Sequence, residues 1–199
     1  MIAAQERMAR SGAPHELSSL LAAGDARQAQ MLFSEKGATG PAIIWAPRAD
    51  DLAPRQLRFL LTHWTELKGA RRYPLCGQID PFQLQPALGF IALVDVVDRG
   101  ADFRYRLFGS KIAYVSGFDV TRRLVSQHPA SPYIVEFSLA AYRAVLRRGE
   151  PVATVHSPPP AVSTTVWHRL VLPLAREGGA IDRFLVGIVP MARDGRPVS

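Results

Sequence analysis

The stretch that decides the fold is residues 103–124, which read FRYRLFGSKIAYVSGFDVTRRL. It opens with apolar and basic side chains in alternation, and Phe103, Tyr105 and Leu107 are the apolar ones. This two-residue period predicts a half-buried strand on which the three apolar side chains share one face. Gly109 then ends the strand.

A short helix is expected directly after this strand. Ile112, Ala113 and Val115 supply its apolar side chains, and Gly117 can adopt the left-handed conformation that closes a helix without steric cost. The stretch therefore predicts a sheet strand that leads at once into small helices lying across the sheet.

The bulk composition predicts one main domain with an appendage. The chain has 199 residues, of which 48% are hydrophobic and 21% are charged. No apolar run approaches the 18 residues of a membrane helix, and Glu6 and Arg7 stand where a signal peptide would be apolar. We therefore expect a cytoplasmic protein without a membrane partner. Cys76 is the only cysteine, which excludes an internal disulfide and a cysteine-based metal cluster.

The formal net charge of +7 is carried mostly by scattered arginines. A nucleic-acid footprint requires a clustered basic face, so we do not expect a nucleic-acid partner. The hypothesis that remains open is docking on nucleic acid or acidic partners through two arginine pairs. These are Arg122, Arg123, Arg147 and Arg148.

Four segments are expected along the chain. Residues 1–50 form an N-terminal extension that is partly helical or flexible, and Ser34 to Asp50 is interpreted as a linker because it is rich in Gly, Ala and Pro. Residues 51–72 form an amphipathic helix beside the core. Residues 73–191 form the main domain, and residues 192–199 form a flexible tail.

The sequence pattern of the main domain predicts an α+β fold. Residues 90–97 form an apolar, β-branched run that predicts the antiparallel partner of the first strand. A long helix is expected from Pro132 to Gly149. Three further strands are expected at residues 151–156, 164–174 and 181–189. Together these elements predict a five-stranded antiparallel sheet with the small helices and the long helix on one face, preceded by the helical extension.

The helix of residues 51–72 has an apolar stripe, and Asp51 is a suitable N-cap for it. The stripe either covers the sheet or joins two copies of the chain. We expect a homodimer through this helix, with dimer contacts at Leu57, Leu60, Leu61 and Trp64.

The order of elements resembles the PAS fold, and five motifs narrow the resemblance to a bacterial family of small stand-alone PAS-like proteins. These motifs are His63-Trp64, Pro74 with Ile79-Asp80-Pro81, residues 103–109, residues 117–121, and residues 170–174. The resemblance covers residues 60–190 and implies a sensory or protein-interaction domain. Two positions depart from the pattern: Cys76 stands where the family commonly has arginine, and Arg122 where it commonly has glycine.

No catalytic residues are identified, because the chain lacks a phosphate-binding glycine loop, a nucleophile elbow and a zinc-protease motif. A PAS-like sheet leaves a pocket between its inner face and the small helices. His168 shares an apolar face of its strand with Leu170, so it is either a core histidine or a contact to haem iron or a carboxylate. Tyr105 is either a core tyrosine or a ligand donor. The full set of candidate ligand-binding residues is Tyr105, Leu107, Ile112, Phe137, Ala141, His168 and Leu170.

The preferred hypothesis is a non-enzymatic sensory or regulatory module that signals by contact with another protein. Its pocket either binds a small molecule or is filled by the protein's own side chains. The first alternative is a sensor that binds haem or an organic cofactor through His168 and Tyr105. The second alternative is the basic docking protein described above. The sequence identifies no particular cofactor or ligand.

Overall fold

The computed structural model describes residues 15–163, 165–192, 195, 196 and 198. Its α-helices are α1 (residues 15–22), α2 (Arg27–Ser34), α3 (Arg55–Lys68), α4 (Ser110–Ser116) and α5 (Pro132–Arg148). Its strands are β1 (Thr39–Trp45), β2 (Ile91–Val97), β3 (Asp102–Phe108), β4 (Val152–Ser157), β5 (Val166–Ala175) and β6 (Ile181–Met191). The longest 3₁₀ segment is Pro81–Ala87, and a shorter one is Val125–Gln127.

The strands form one antiparallel sheet in the order β1-β4-β5-β6-β2-β3, which confirms the α+β class. The sheet has six strands where five were expected. The additional strand is β1, in the segment interpreted as a linker. Gly40 and Pro41 give this segment a low intrinsic strand propensity, and pairing with the edge of β4 overrides that propensity.

One face of the sheet is closed by α3 and the 3₁₀ segment Pro81–Ala87. The indole Nε1 of Trp64 donates a hydrogen bond of 2.8 Å to the carbonyl of Pro173 on β5. The four predicted dimer contacts are buried in this core of the chain itself: Leu57, Leu60, Leu61 and Trp64. The apolar stripe therefore covers the sheet, and these residues do not form a free surface for a second copy. The helix begins at Arg55, after Pro54, so Asp51 is not its N-cap.

The opposite face, called the inner face here, carries α4, α5 and the 3₁₀ turn Val125–Gln127. The small helices and the long helix thus lie on the same side of the sheet, as expected. Gly149 closes α5 in the left-handed conformation (φ 70°), where the sequence predicted its end. Tyr142 of α5 stacks on Phe184 of β6 at 5.4 Å between ring centroids, and this contact joins the helix to the sheet.

A β-bulge in β3 changes which side chains share a face. Leu93 pairs with Leu107 and Val94 pairs with Tyr105, so Arg106 is the extra residue. Its guanidinium turns outward, where Nε lies 2.9 Å from a carboxylate oxygen of Asp95. The bulge places Leu107 on the face opposite Tyr105 and leaves it 39% exposed. The strict alternation predicted for this strand is therefore wrong after Tyr105.

The described part of the N-terminal extension packs against α5 and β1. Phe33 of α2 makes edge-to-face contacts with Tyr133 and Phe137 of α5. Arg147 donates to the hydroxyl of Ser19 and the carbonyl of His15. The chain before residue 15 and half of the predicted tail, 192–199, lie outside the described residues.

The arginine pair of α5 is therefore used within the fold. Besides the contacts of Arg147, the guanidinium of Arg148 lies over the Trp45 ring at 4.8 Å and pairs with Glu150 at 2.6 Å. Arg122 and Arg123 are exposed, and Arg122 adopts a positive φ of 69°. That conformation suits glycine, which is the residue expected at this position from the resemblance.

The junction between β3 and α4 depends on a close approach of two backbones at Gly109. The amide groups of Lys111 and Ile112 donate to the carbonyl of Gly89 at 3.1 and 3.2 Å. A Cβ added at Gly109 would lie 2.6 Å from the carbonyl carbon of Gly89 and 2.8 Å from the carbonyl oxygen of Ile91. These neighbours are backbone atoms held in the sheet, so they cannot turn away.

We expect the Gly109→Ala substitution to destabilise the protein by about 1–3 kcal/mol, because the added methyl group overpacks the junction. Urea unfolding measures the change. Gly77→Ala is the matched control, since a Cβ there meets nothing within 4 Å, and it should leave stability within about 0.5 kcal/mol. Equal stability of the two variants would contradict the close approach.

Candidate functional site

A cavity of about 850 Å³ lies between the inner face of the sheet and the helices α4 and α5. Its size falls within the usual range for small-molecule sites, about 300–1,000 Å³. Aromatic rings make up much of its wall: Tyr105, Phe108, Phe118, Tyr133 and Trp167. Polar side chains on its floor and sides include His128, Ser138, His156 and Arg169.

Arg169 is the one strongly charged side chain buried at this cavity within the described part of the chain. It is only 7% exposed, and it projects from β5 on the inner face between Trp167 and Val171. Its Nη1 donates to the hydroxyl of Ser138 on α5 at 3.0 Å, whereas its Nε has no hydrogen-bond partner. Among the described residues, no carboxylate lies within 4.0 Å to pair with it.

The neighbour of Arg169 on the adjacent strand is also an unsatisfied polar residue. Thr154 of β4 stands directly opposite Arg169 in the ladder, and its buried hydroxyl lacks a partner. Directly opposite side chains on antiparallel strands have Cβ atoms about 4.5–5.5 Å apart. The inner face therefore concentrates unused hydrogen-bonding capacity around one buried guanidinium, and buried polar groups without partners are destabilising.

His156, two residues beyond Thr154 on β4, lines the same cavity and is 5% exposed. Burial in the first place, and then the charge of Arg169 and the electrostatic effect of His168, lower its pKa to about 3. The imidazole is therefore neutral near pH 7. Its Nδ1 is buried without a hydrogen-bond partner.

His128 lies in the loop between α4 and α5, within a group of aromatic rings. Phe118 and Tyr105 approach its ring at centroid distances of 4.8 and 5.7 Å. Burial, followed by the charge of Arg169, lowers its pKa to about 4. The amide of Ala130 donates to its Nδ1 at 3.1 Å, so in the neutral ring the proton is on Nε2.

Tyr105 and Ile112 are the candidate residues that the structure brings to the cavity. Burial raises the pKa of Tyr105 well above its ordinary value, so its hydroxyl remains protonated and can donate. Phe137 and Ala141 are buried on α5 but do not line the cavity; Phe137 packs against Phe33. Leu107 lies on the other face because of the bulge.

The structure corrects the expected position of His168 and Leu170. The two residues do share a face of β5, but it is the face that packs toward α3, where Leu170 is fully buried. Trp167 and Arg169, on the alternate positions, face the cavity. Strand alternation identifies which residues lie together, but it does not show which of the two faces borders a cavity when both faces are covered.

Sequence reasoning missed Arg169, Ser138, His128 and His156. The sequence does contain a signal for Arg169, because this arginine interrupts an otherwise apolar run in the strand VWHRLVLPLA. Long charged residues are rarely buried without a role. His128 lies in a segment without a regular pattern, and only the tertiary fold brings it to the wall. Within the described residues there is no group of three or more His, Cys, Asp or Glu side chains that could hold a metal ion.

We predict that acid destabilises the protein partly through His156. Its pKa is about 3 in the folded state and near 6.5 in the unfolded state, so protons bind the unfolded state first as the pH falls. The stabilisation is complete above pH 6.5 and is lost toward pH 3 at about 1.4 kcal/mol per pH unit. Urea unfolding at several pH values should therefore show a shallower slope for His156→Gln than for the exposed-residue control His15→Gln. The same slope in both variants would contradict the burial of a neutral His156.

Comparison with known proteins agrees with this architecture. Residues 52–189 match the family described as PAS domain, which spans the segment from α3 to β6. Searches of curated proteins and of solved structures found no match. No helix in the described residues is both long and apolar enough to cross a membrane. Since the matched segment covers well over half of its length, the chain belongs to the PAS domain family.

Proposed function

We propose that this chain is a non-enzymatic sensory or regulatory domain that binds a small organic molecule in the cavity beneath α4 and α5. PAS domains are generally sensory rather than catalytic. The observation that carries the proposal is the combination, in one cavity of about 850 Å³, of an aromatic wall and a buried guanidinium with an unused donor. A core filled by its own side chains would leave neither feature.

An organic ligand fits the cavity better than haem, which was the other candidate. His168, which the strand pattern suggested for iron ligation, lies on the opposite face of the sheet. His128 does line the cavity, but its Nδ1 accepts a backbone hydrogen bond, so the neutral ring carries its proton on Nε2 and lacks a free lone pair there. His156 is deeply buried beside Arg169, whose positive charge disfavours a nearby cation.

The signal is proposed to pass by contact with a protein partner, either another protein or a second copy. PAS domains often dimerise or pair with output domains. The stripe of α3 is buried, so a homodimer would use another surface. Helix α4 separates the cavity from solvent. Ile112 and Val115 border the cavity, whereas Tyr114 on the outer side of the helix is 77% exposed. A ligand that moves α4 would therefore also move Tyr114 at the surface.

Filling the cavity should remove the ligand without unfolding the protein. We expect wild-type protein purified from cells to show an adduct mass by native mass spectrometry, and Val115→Trp to lose it because the larger side chain occupies the cavity. Tyr114→Trp adds an indole one residue away on the exposed side of α4, and it should keep the adduct.

Thermal unfolding of the three proteins checks that each is folded. An adduct that persists equally in Val115→Trp and Tyr114→Trp would contradict binding at this cavity. Binding at this cavity would also be contradicted if the wild-type protein carried no adduct and gained no thermal stability from any aromatic compound supplied in excess.

A further inference from the structure

We propose that the ligand is a singly charged carboxylic acid with an apolar, ring-sized body, and that its carboxylate pairs with the guanidinium of Arg169. This inference rests on the proposed function and identifies the chemical class that the cavity accepts. Four features of the site support it: an uncompensated charge, a set of donors, the number of charges and the character of the wall.

The first feature is the missing counter-ion. No aspartate or glutamate lines the cavity within the described ranges, and Arg169 is 7% exposed. Asp102 does not line the cavity, and its carboxylate is already engaged by the hydroxyl of Ser126 at 2.5 Å and by the amide of Phe103 at 2.7 Å. A buried charge without a partner is strongly destabilising, so an anion that enters the cavity gains a pairing that the protein itself does not supply.

The second feature is the set of donors. A carboxylate only accepts hydrogen bonds, and it pairs with the planar guanidinium in a two-pronged geometry. Nε of Arg169 is unused, and the neutral ring of His128 presents Nε2–H as a further donor. Ser138 fixes the orientation of the guanidinium through the bond to Nη1. The guanidinium is therefore held in place before a ligand arrives.

The third feature is the number of charges. His128 and His156 are neutral near pH 7, because their pKa values are lowered to about 4 and about 3. Lys36 also borders the cavity, but it is exposed and keeps its hydration. One buried positive charge balances one negative charge. A dianion such as a phosphate ester or a dicarboxylate would leave a second charge uncompensated in the interior.

The fourth feature is the wall, which is apolar and aromatic away from Arg169. Phe108, Phe118 and Trp167 face the space, and Ile112 and Ile188 complete its apolar lining. Such a wall favours a flat or bulky hydrocarbon body over a sugar or a peptide. The acid is therefore amphipathic, with its carboxylate at the sheet and its body between the helices.

The test compares phenylacetate with its uncharged isostere phenylacetamide, by calorimetry and by thermal shift. The proteins are the wild type, Arg169→Met, Arg169→Lys and Val115→Trp. At about 10 mM ligand, well above a weak Kd of about 1 mM, phenylacetate should bind the wild type at least about tenfold more tightly than the amide. Arg169→Met should lose that preference. Arg169→Lys should keep part of it, because a lysine retains the charge but not the forked geometry.

The outcomes separate this inference from the proposed function. If both compounds bind the wild type equally and Val115→Trp abolishes binding, the cavity is a ligand site but the acid specificity is wrong. If phenylacetate binds Arg169→Met as tightly as the wild type, the pairing with Arg169 is wrong. If phenylacetate binds no protein at this concentration, the inference is overturned, and the adduct experiment on the cavity decides the proposed function by itself.

A second readout does not require a ligand. Methionine replaces the aliphatic part of the arginine side chain and carries no charge, so Arg169→Met should be at least as thermally stable as the ligand-free wild type. Ser138→Ala removes only the neutral partner of the guanidinium, and it should lower stability. A large loss of stability in Arg169→Met would show that the arginine is a structural element with its interactions satisfied, and it would overturn the inference.

Discussion

The structure depends on one constraint above others, which is that a guanidinium on the inner face of the sheet is buried without a carboxylate. Arg169 projects from a central strand, bonded only to Ser138 among the described residues. A buried charge of this kind is tolerated only where space and polar groups remain around it. The cavity supplies the space, and the neutral imidazole of His128 supplies a polar group. The polar floor and the cavity therefore both follow from the need to accommodate a buried guanidinium that has no carboxylate partner.

The rest of the fold keeps that space open. On the face opposite the inner face, α3 closes the sheet with an apolar contact that includes the Trp64–Pro173 hydrogen bond. On the inner face, α5 is fixed from outside by α1 and α2, through the packing of Phe33 and the contacts of Arg147. The close approach at Gly109 sets the position of α4. Helix α5 is thus held on the side away from the sheet, and α4 is held at its N-terminal end. The surfaces of both helices that face the sheet remain free to border the cavity.

The sequence predicted the positions of helices and strands better than it predicted which face of the sheet each side chain occupies. The alternation of residues 103–105, the glycine at 109 and the cap at Gly149 are local signals, and each corresponds to an observed feature. A bulge at Arg106 depends on pairing with β2, so alternation could not place Leu107. His168 was assigned to the wrong face because both sides of β5 are covered. The strand β1 has weak local propensity and exists through its pairing with β4.

The measurement that tests the central claim most directly is a crystal structure of the protein soaked with phenylacetate. The account predicts density for the ring between the sheet and α4, with the carboxylate oxygens within about 3 Å of Nε and Nη atoms of Arg169. A ligand in the cavity with its carboxylate turned toward solvent would contradict the pairing. A cavity filled by rearranged protein side chains, with the acid bound elsewhere, would contradict the account as a whole.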